Sequence, residues 1–446
     1  LDVLAAGSTM LVPDGATVSF GDSSARTWPA NVRLDITTEG SGKVDFAGLS
    51  LAQMRQVYVN GVSYEEQETE RVVFLGDSIT CGGYWEYVLQ DFEATRNPGK
   101  LIRNYNAGIA GDTASGALGR LDRDVFARNP ARVYVMFGMN DVGISNYCET
   151  PSAAQLAAQA KSMAAFAQSM SNIVDRVLAR NVAVTLVTPT PFDEYGDYAG
   201  ANHVNANEQG LAAAAQIVRD LAAYRVTDLI DLHAPMTAIY KAGAVKFNRD
   251  DRVHPEWRGH VLMSALVWKQ LGYDAAPYSE RTLAAPGGRA TVSYAPDGLP
   301  FPQNEDFAAV KTAAPDLIAS LNREIVAFTD LPQGTFTLKA NGVAIGDYTT
   351  AQLTSGVDLG EAATPSQTAA QTAWAKMKSL VGKDYALRYV VAMEIRAKAL
   401  DPSIDLEDYD AVCALLDQWV EGLTSQQDYY RGVVKLYKDN KKNIVM

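Results

Sequence analysis

Between residues 71 and 275 five short apolar runs recur: Val72–Leu75, Leu101–Tyr105, Val133–Phe137, Val182–Val187 and Val226–Leu232. None shows clean in–out alternation, the pattern of strands covered on both faces. Helical grammar fills the gaps. Met163, Phe166, Ala167, Met170, Ile173, Val174, Val177 and Leu178 step by threes and fours along one stripe, and Leu211–Leu221 repeats the spacing at Ile217 and Leu221. Strands alternating with helices can pair in parallel only through right-handed crossovers. The expectation is an α/β layer with a five-stranded parallel sheet, binding its ligand at the carboxyl ends of the strands.

The flanks follow other rules. Residues 1–70 contain short alternating runs at Ala16–Phe20, Val32–Ile36 and Val57–Val59 and a turn signal at Asn60-Gly61, so this stretch reads as β-rich. Residues 276–446 begin with a connector dense in Pro and Gly. A β-meander follows, at Glu324–Phe328, Thr335–Lys339 and Ala344–Tyr348. From Pro365 the chain turns helical, with an apolar stripe at Tyr409, Val412, Cys413, Leu416, Trp419, Val420 and Leu423. Three regions are expected: 1–70, a catalytic layer at 71–275, and 276–446. The first and last are expected to pack together as an accessory β-module with C-terminal helices.

The 446 residues carry 39 basic and 52 acidic side chains, a net charge of −13. Such a surface repels nucleic-acid phosphates and anionic membranes. No apolar run is long enough to cross a bilayer. Cys81, Cys148 and Cys413 are too scattered for a disulfide framework or a zinc site, although one bridge among them is possible. The chain starts at Leu1 rather than Met, which leans the expectation toward export after processing and leaves a cytoplasmic setting open.

Four blocks at the strand ends carry chemistry. Gly76-Asp77-Ser78 places a hydroxyl directly after the first core strand. Asn106-Ala-Gly-Ile-Ala-Gly111-Asp112-Thr113 follows the second and can present backbone N–H groups. Gly138-Met-Asn140-Asp141 follows the third and offers an amide donor. Asp251-Arg-Val-His254 sits in a loop after the last, where a carboxylate three residues before an imidazole can hold Nδ1–H and aim Nε2. Each block alone is an ordinary capped turn. Together they supply a nucleophile, a base, an orienter and three oxyanion donors at one edge of one sheet. Only four histidines exist; His203 and His260 lack such a partner, and His233 ends a strand where it could line the cleft. Asp77, Tyr84, Trp85 and Asp141 are further candidates for lining it, against a packing role for both rings and a turn-forming role for both carboxylates. GxSxG, HExxH and nucleotide-binding glycine motifs are absent.

In order and spacing, these blocks resemble the GDSL (SGNH) hydrolase family over residues 71–271. The resemblance implies a flavodoxin-like three-layer α/β/α fold and a serine esterase. It implies Ser78 as nucleophile, His254 as base, Asp251 as its orienter, and an oxyanion hole from Ser78 N–H, Gly111 N–H and the Asn140 side chain. No metal or cofactor is implied. The expected substrate is a small-molecule or polysaccharide ester, foremost the O-acetyl group of a carbohydrate. A lysophospholipase or thioesterase-type acylhydrolase is the alternative, and a non-catalytic carbohydrate-binding protein on the same scaffold is a second one.

Overall fold

The computed structural model describes residues 70–97, 102–288, 296–423 and 427–445, together with the backbone of six short strands before residue 64. The chain forms two compact units, Leu1–Thr69 and Glu70–Met446. In the first, Ser8–Val12, Leu34–Thr38, Val57–Val59 and Val62–Ser63 make a four-stranded sheet, and Thr17–Ser19 pairs with Lys43–Asp45. Val57–Val59 and Val62–Ser63 run antiparallel, although the Asn60-Gly61 turn itself lies outside the described residues.

The second unit holds the expected parallel sheet. Its strands are β1 (Glu70–Gly76), β2 (Ile102–Gly108), β3 (Arg132–Met136), β4 (Ala183–Val187) and β5 (Asp228–Ile230), in the order β2-β1-β3-β4-β5. All four pairings are parallel. The chain moves outward one way from β1 to β2 and the other way from β3 to β5. Right-handed crossovers therefore place helices on both faces, with the switch point between β1 and β3. Helix α1 (Tyr84–Arg96) packs with α4 (Trp257–Gln270), and α2 (Ala153–Leu178) packs with α3 (Ala212–Arg225). The stripe expected from Met163 onward lies on α2, where Phe166, Met170, Ile173, Val174 and Val177 are buried. Val73, Val133, Val135 and Leu186 are fully buried in the sheet, which explains why their strands showed no alternation.

Two expectations about the C-terminal region need correction. The connector contains a strand, β6 (Ser279–Ala284), and Glu324–Thr329 (β7) pairs with it in parallel and with β10 (Val357–Asp358) antiparallel. Only β8 (Thr335–Ala340) and β9 (Val343–Thr349) form the hairpin about Asn341-Gly342. The meander is thus split, because β7 buries Val326 beneath Leu353 and Val357 rather than pairing with its neighbour in sequence. Helices α5 (Pro365–Leu400), α6 (Tyr409–Glu421) and α7 (Gln427–Val445) follow. Val412, Cys413, Leu416 and Val420 of α6 pack with Val390 and Met393 of α5 and Tyr437 of α7. Near its start α5 joins the core of the α/β layer through Trp374, Met377 and Val381.

Candidate active site

The strand ends of β1, β2 and β3 meet at the switch point. Ser78 opens a four-residue helix (Ser78–Cys81) directly after β1, and Asp77 caps it, its Oδ1 accepting from Ile79 N–H at 2.9 Å. The N–H at a helix start has no intrahelical partner. Among the described residues, neither Ser78 N–H nor Gly111 N–H donates to another protein group. Gly111 sits in the loop after β2 with φ +73°, a left-handed conformation that suits glycine. Asn140, after β3, donates from Nδ2 to the Asp112 carbonyl at 2.9 Å, which leaves the second hydrogen of that amide uncommitted.

The fourth block arrives from across the sheet. His254 Nε2 lies 2.8 Å from Ser78 Oγ, and His254 Nδ1 lies 2.7 Å from Asp251 Oδ2. Asp251 Oδ1 accepts from the backbone N–H groups of Val253 and His254 at 3.0 and 2.9 Å. Partial burial works against the Asp251 charge, but the His254 ring and these N–H donors outweigh it and hold the carboxyl down at about 2. The imidazole is therefore backed by a carboxylate across the working pH range. A hydroxyl, an imidazole and an anion in this chain can pass a proton from oxygen to nitrogen while the new charge stays compensated. Ser78, Asn140 and His254 are half-buried and Gly111 is exposed, so the site opens to solvent.

The other candidates are placed differently. Trp85 is fully buried, edge-on to Phe74 at 4.8 Å; it is a core residue beyond a ligand's reach, because α1 turns that face onto the sheet. Tyr84 spends its ring on Trp257 and His260, at 4.6 and 4.9 Å. His233 is buried with Nε2 3.1 Å from Asn207 Oδ1, and burial drives its pKa down to about 4. Asp141 ties two loops together, accepting from Ala114 N–H at 2.9 Å and Gly138 N–H at 3.1 Å. Burial raises Asp77 to about 7 and Asp141 to about 6, against the pull of these N–H donors. Cys81, Cys148 and Cys413 are all free thiols.

Sequence reasoning missed the arginines that hold the loops. Arg252, between Asp251 and His254, is buried at φ +64°. Its guanidinium donates to the carbonyls of Gly200, Asp193, Gly196 and Tyr198 at 2.9 to 3.3 Å. Arg120 pairs with Asp112 and Asp124 and donates to the carbonyls of Ala107 and Gly76. Its one signal in sequence was the i,i+4 spacing to Asp124.

Residues 74–262 match the model of the GDSL-like lipase/acylhydrolase family. This segment is a GDSL-like lipase/acylhydrolase domain. The class it belongs to hydrolyses ester bonds. The chain is 25% identical over 221 residues to an acetylxylan esterase of Geobacillus stearothermophilus, covering 46% of this chain and 95% of that protein. A shorter stretch of 83 residues is 34% identical to the uncharacterized lipoprotein YqeF of Bacillus subtilis (strain 168), covering 17% of this chain and 33% of that one. A solved structure described as BT4096, a gut microbial diltiazem-metabolizing enzyme, matches with a TM-score of 0.63 at 22% identity. It covers 83% of this chain and 96% of its own. Its likeness therefore runs through the fold well beyond the GDSL-like segment. Among the described residues no helix is long and apolar enough to cross a membrane.

Proposed function

We propose that the chain is a serine esterase that removes acetyl groups from a carbohydrate. The observation that carries the mechanism is the unbroken chain Asp251–His254–Ser78, with contacts of 2.7 and 2.8 Å. In this reading His254 Nε2 takes the Ser78 proton as Oγ attacks the ester carbonyl. The tetrahedral oxyanion is met by Ser78 N–H, Gly111 N–H and the free hydrogen of Asn140 Nδ2. The imidazolium, compensated by Asp251, then gives its proton to the sugar oxygen as the C–O bond breaks, so that the sugar leaves as its hydroxyl. Water, activated by the same imidazole, releases acetate from the acyl-enzyme.

The acetyl and carbohydrate assignments draw support from two features. One is the likeness to an acetylxylan esterase over nearly all of that protein's length. The other is the solvent-open mouth of the site, which suits an ester carried on a bulky polymer. An extracytoplasmic setting accords with such a substrate and with the likeness to a lipoprotein.

The test combines a p-nitrophenyl ester series, from acetyl to long-chain acyl, with acetate release from acetylated xylan. The proposal expects fastest turnover with acetyl and measurable acetate from the polymer. A preference for long acyl chains with no acetate release would favour a lipid or thioester acylhydrolase instead. Failure of a fluorophosphonate to label Ser78 would point to the non-catalytic binding protein.

A further inference from the structure

The carbonyls at the carboxyl ends of β1 and β2 are capped by arginines, and one of these comes from far outside the GDSL-like segment. Arg388, on α5, is 6% exposed; its Nε donates to the Gly108 carbonyl at 2.9 Å and Nη2 reaches Asp124 Oδ2 at 3.2 Å. The same Asp124 oxygen receives Arg120 Nη1 at 2.9 Å. Arg120 in turn donates to the Gly76 carbonyl at 3.1 Å and grips Asp112 Oδ2 at 2.7 Å. The Asp112 carbonyl accepts from Asn140 Nδ2 at 2.9 Å. A continuous path thus runs from Arg388 through Asp124, Arg120 and Asp112 to the amide read above as an oxyanion donor. Arg388 also holds the last residue of β2, three positions before Gly111.

We infer that Arg388 is a positioning residue: α5 completes the oxyanion hole by fixing the loop after β2, which carries Gly111 and, through the Asp112 carbonyl, holds Asn140 of the loop after β3. This inference rests on the serine-esterase reading of the site. The physical case is that buried, charge-assisted hydrogen bonds from the two arms of a planar guanidinium, here to the Gly108 carbonyl and to Asp124, fix orientation as well as distance. Arg123 also pairs with Asp124, at Oδ1 and 2.8 Å, so Asp124 keeps two arginines without Arg388; what a variant lacking Arg388 loses is the buried bond that ties the Gly108 carbonyl to this cluster. Donors aimed at an oxyanion lose effect when they shift. The helices after residue 365 are then part of the hydrolase's working structure rather than a separate binding attachment.

The test measures kcat and KM for p-nitrophenyl acetate with Arg388→Met, Arg388→Lys, Asn140→Ala and the two double variants, alongside Ser78→Ala and unfolding midpoints. Loss of a whole oxyanion donor costs about 10²–10³ in turnover. Arg388→Met, which loosens the hole without removing a donor, should lower kcat by about 10–100-fold with KM within about threefold. Arg388→Lys keeps the charge, loses the fork, and should fall between wild type and Met; it carries the test if the Met variant does not fold. In the Asn140→Ala background the effect of either Arg388 change should shrink to less than half its size on a logarithmic scale, because both act on one hole. Full multiplicative loss in the double variants, or unchanged kcat in a folded Arg388→Lys and Arg388→Met, would overturn the inference. Activity persisting in Ser78→Ala would instead overturn the esterase reading beneath it, so the two failures are distinct.

Discussion

Gly108→Ala tests how tightly the nucleophile is seated. Gly108 ends β2, and a Cβ built there would lie 2.1 Å from Cys81 N and 2.6 Å from Cys81 Cα and the Thr80 carbonyl carbon. These are backbone atoms of the short helix that starts at Ser78, so no side chain can swing aside. Restoring ordinary contact at 3.4 Å needs a displacement of about 1.3 Å (3.4 − 2.1) between β2 and that helix. Ser78 and the oxyanion loop would move apart by a comparable amount. A misplacement of about 1 Å costs about 10²-fold in rate, and overpacking of this kind costs about 1–3 kcal/mol in stability. Turnover of p-nitrophenyl acetate and thermal unfolding read both effects. Gly111→Ala is the contrast: φ is +73° but open space surrounds the would-be Cβ. That variant should lose about 1–2 kcal/mol from the left-handed conformation while keeping more activity than Gly108→Ala. A Gly108→Ala protein with wild-type kcat and wild-type unfolding would refute the claim that helix and strand are in fixed contact.

Other outcomes follow from the same geometry. Asp251→Asn should leave the fold intact and cut kcat by about 10²–10⁴, since an amide cannot compensate the imidazolium; near-wild-type kcat would remove Asp251 from the triad. Trp85→Ala should destabilise by about 3–5 kcal/mol with KM unchanged in the folded fraction, whereas a raised KM alone would make Trp85 a ligand contact after all. Asp77 carries a pH signature. Its folded pKa of about 7 lies above the ordinary 3.8, so the folded state binds the extra proton between those values and stability falls as pH rises through that window. Asp77→Asn should flatten the fall, raising the unfolding midpoint at pH 8 more than at pH 4; equal shifts at both would contradict the buried, proton-holding carboxyl.

Much of the fold was readable because a buried parallel sheet writes itself as apolar runs. Val72–Leu75 and Val133–Phe137 coincide with β1 and β3, and the stripe from Met163 coincides with α2. The blocks at Ser78, Gly111, Asn140 and Asp251–His254 were legible because strand ends and short loops keep chemistry close to recognisable sequence. What was not legible depends on distant contacts. Strand β6 was hidden by the Pro and Gly around it, since it is stabilised by pairing with β7, whose partner residues lie 45 positions on (Ser279 opposite Glu324). Trp85 stood between a packing role and a cleft role because spacing alone cannot say which way α1 is turned. Arg388 belongs to no motif, and Arg252 sits inside the Asp251–His254 block only as a spacer. Their meaning lies in carbonyls brought to them by the tertiary fold, in the first case from 280 residues away.

The central claim is that Ser78 becomes acylated. Rapid acid quenching of a reaction with p-nitrophenyl acetate, followed by peptide mass analysis, tests it directly. The account predicts an acetyl adduct confined to the peptide containing Ser78, formed in a burst and absent from Ser78→Ala. Steady hydrolysis by the wild-type enzyme with the adduct on another residue, or undiminished turnover by Ser78→Ala, would contradict it.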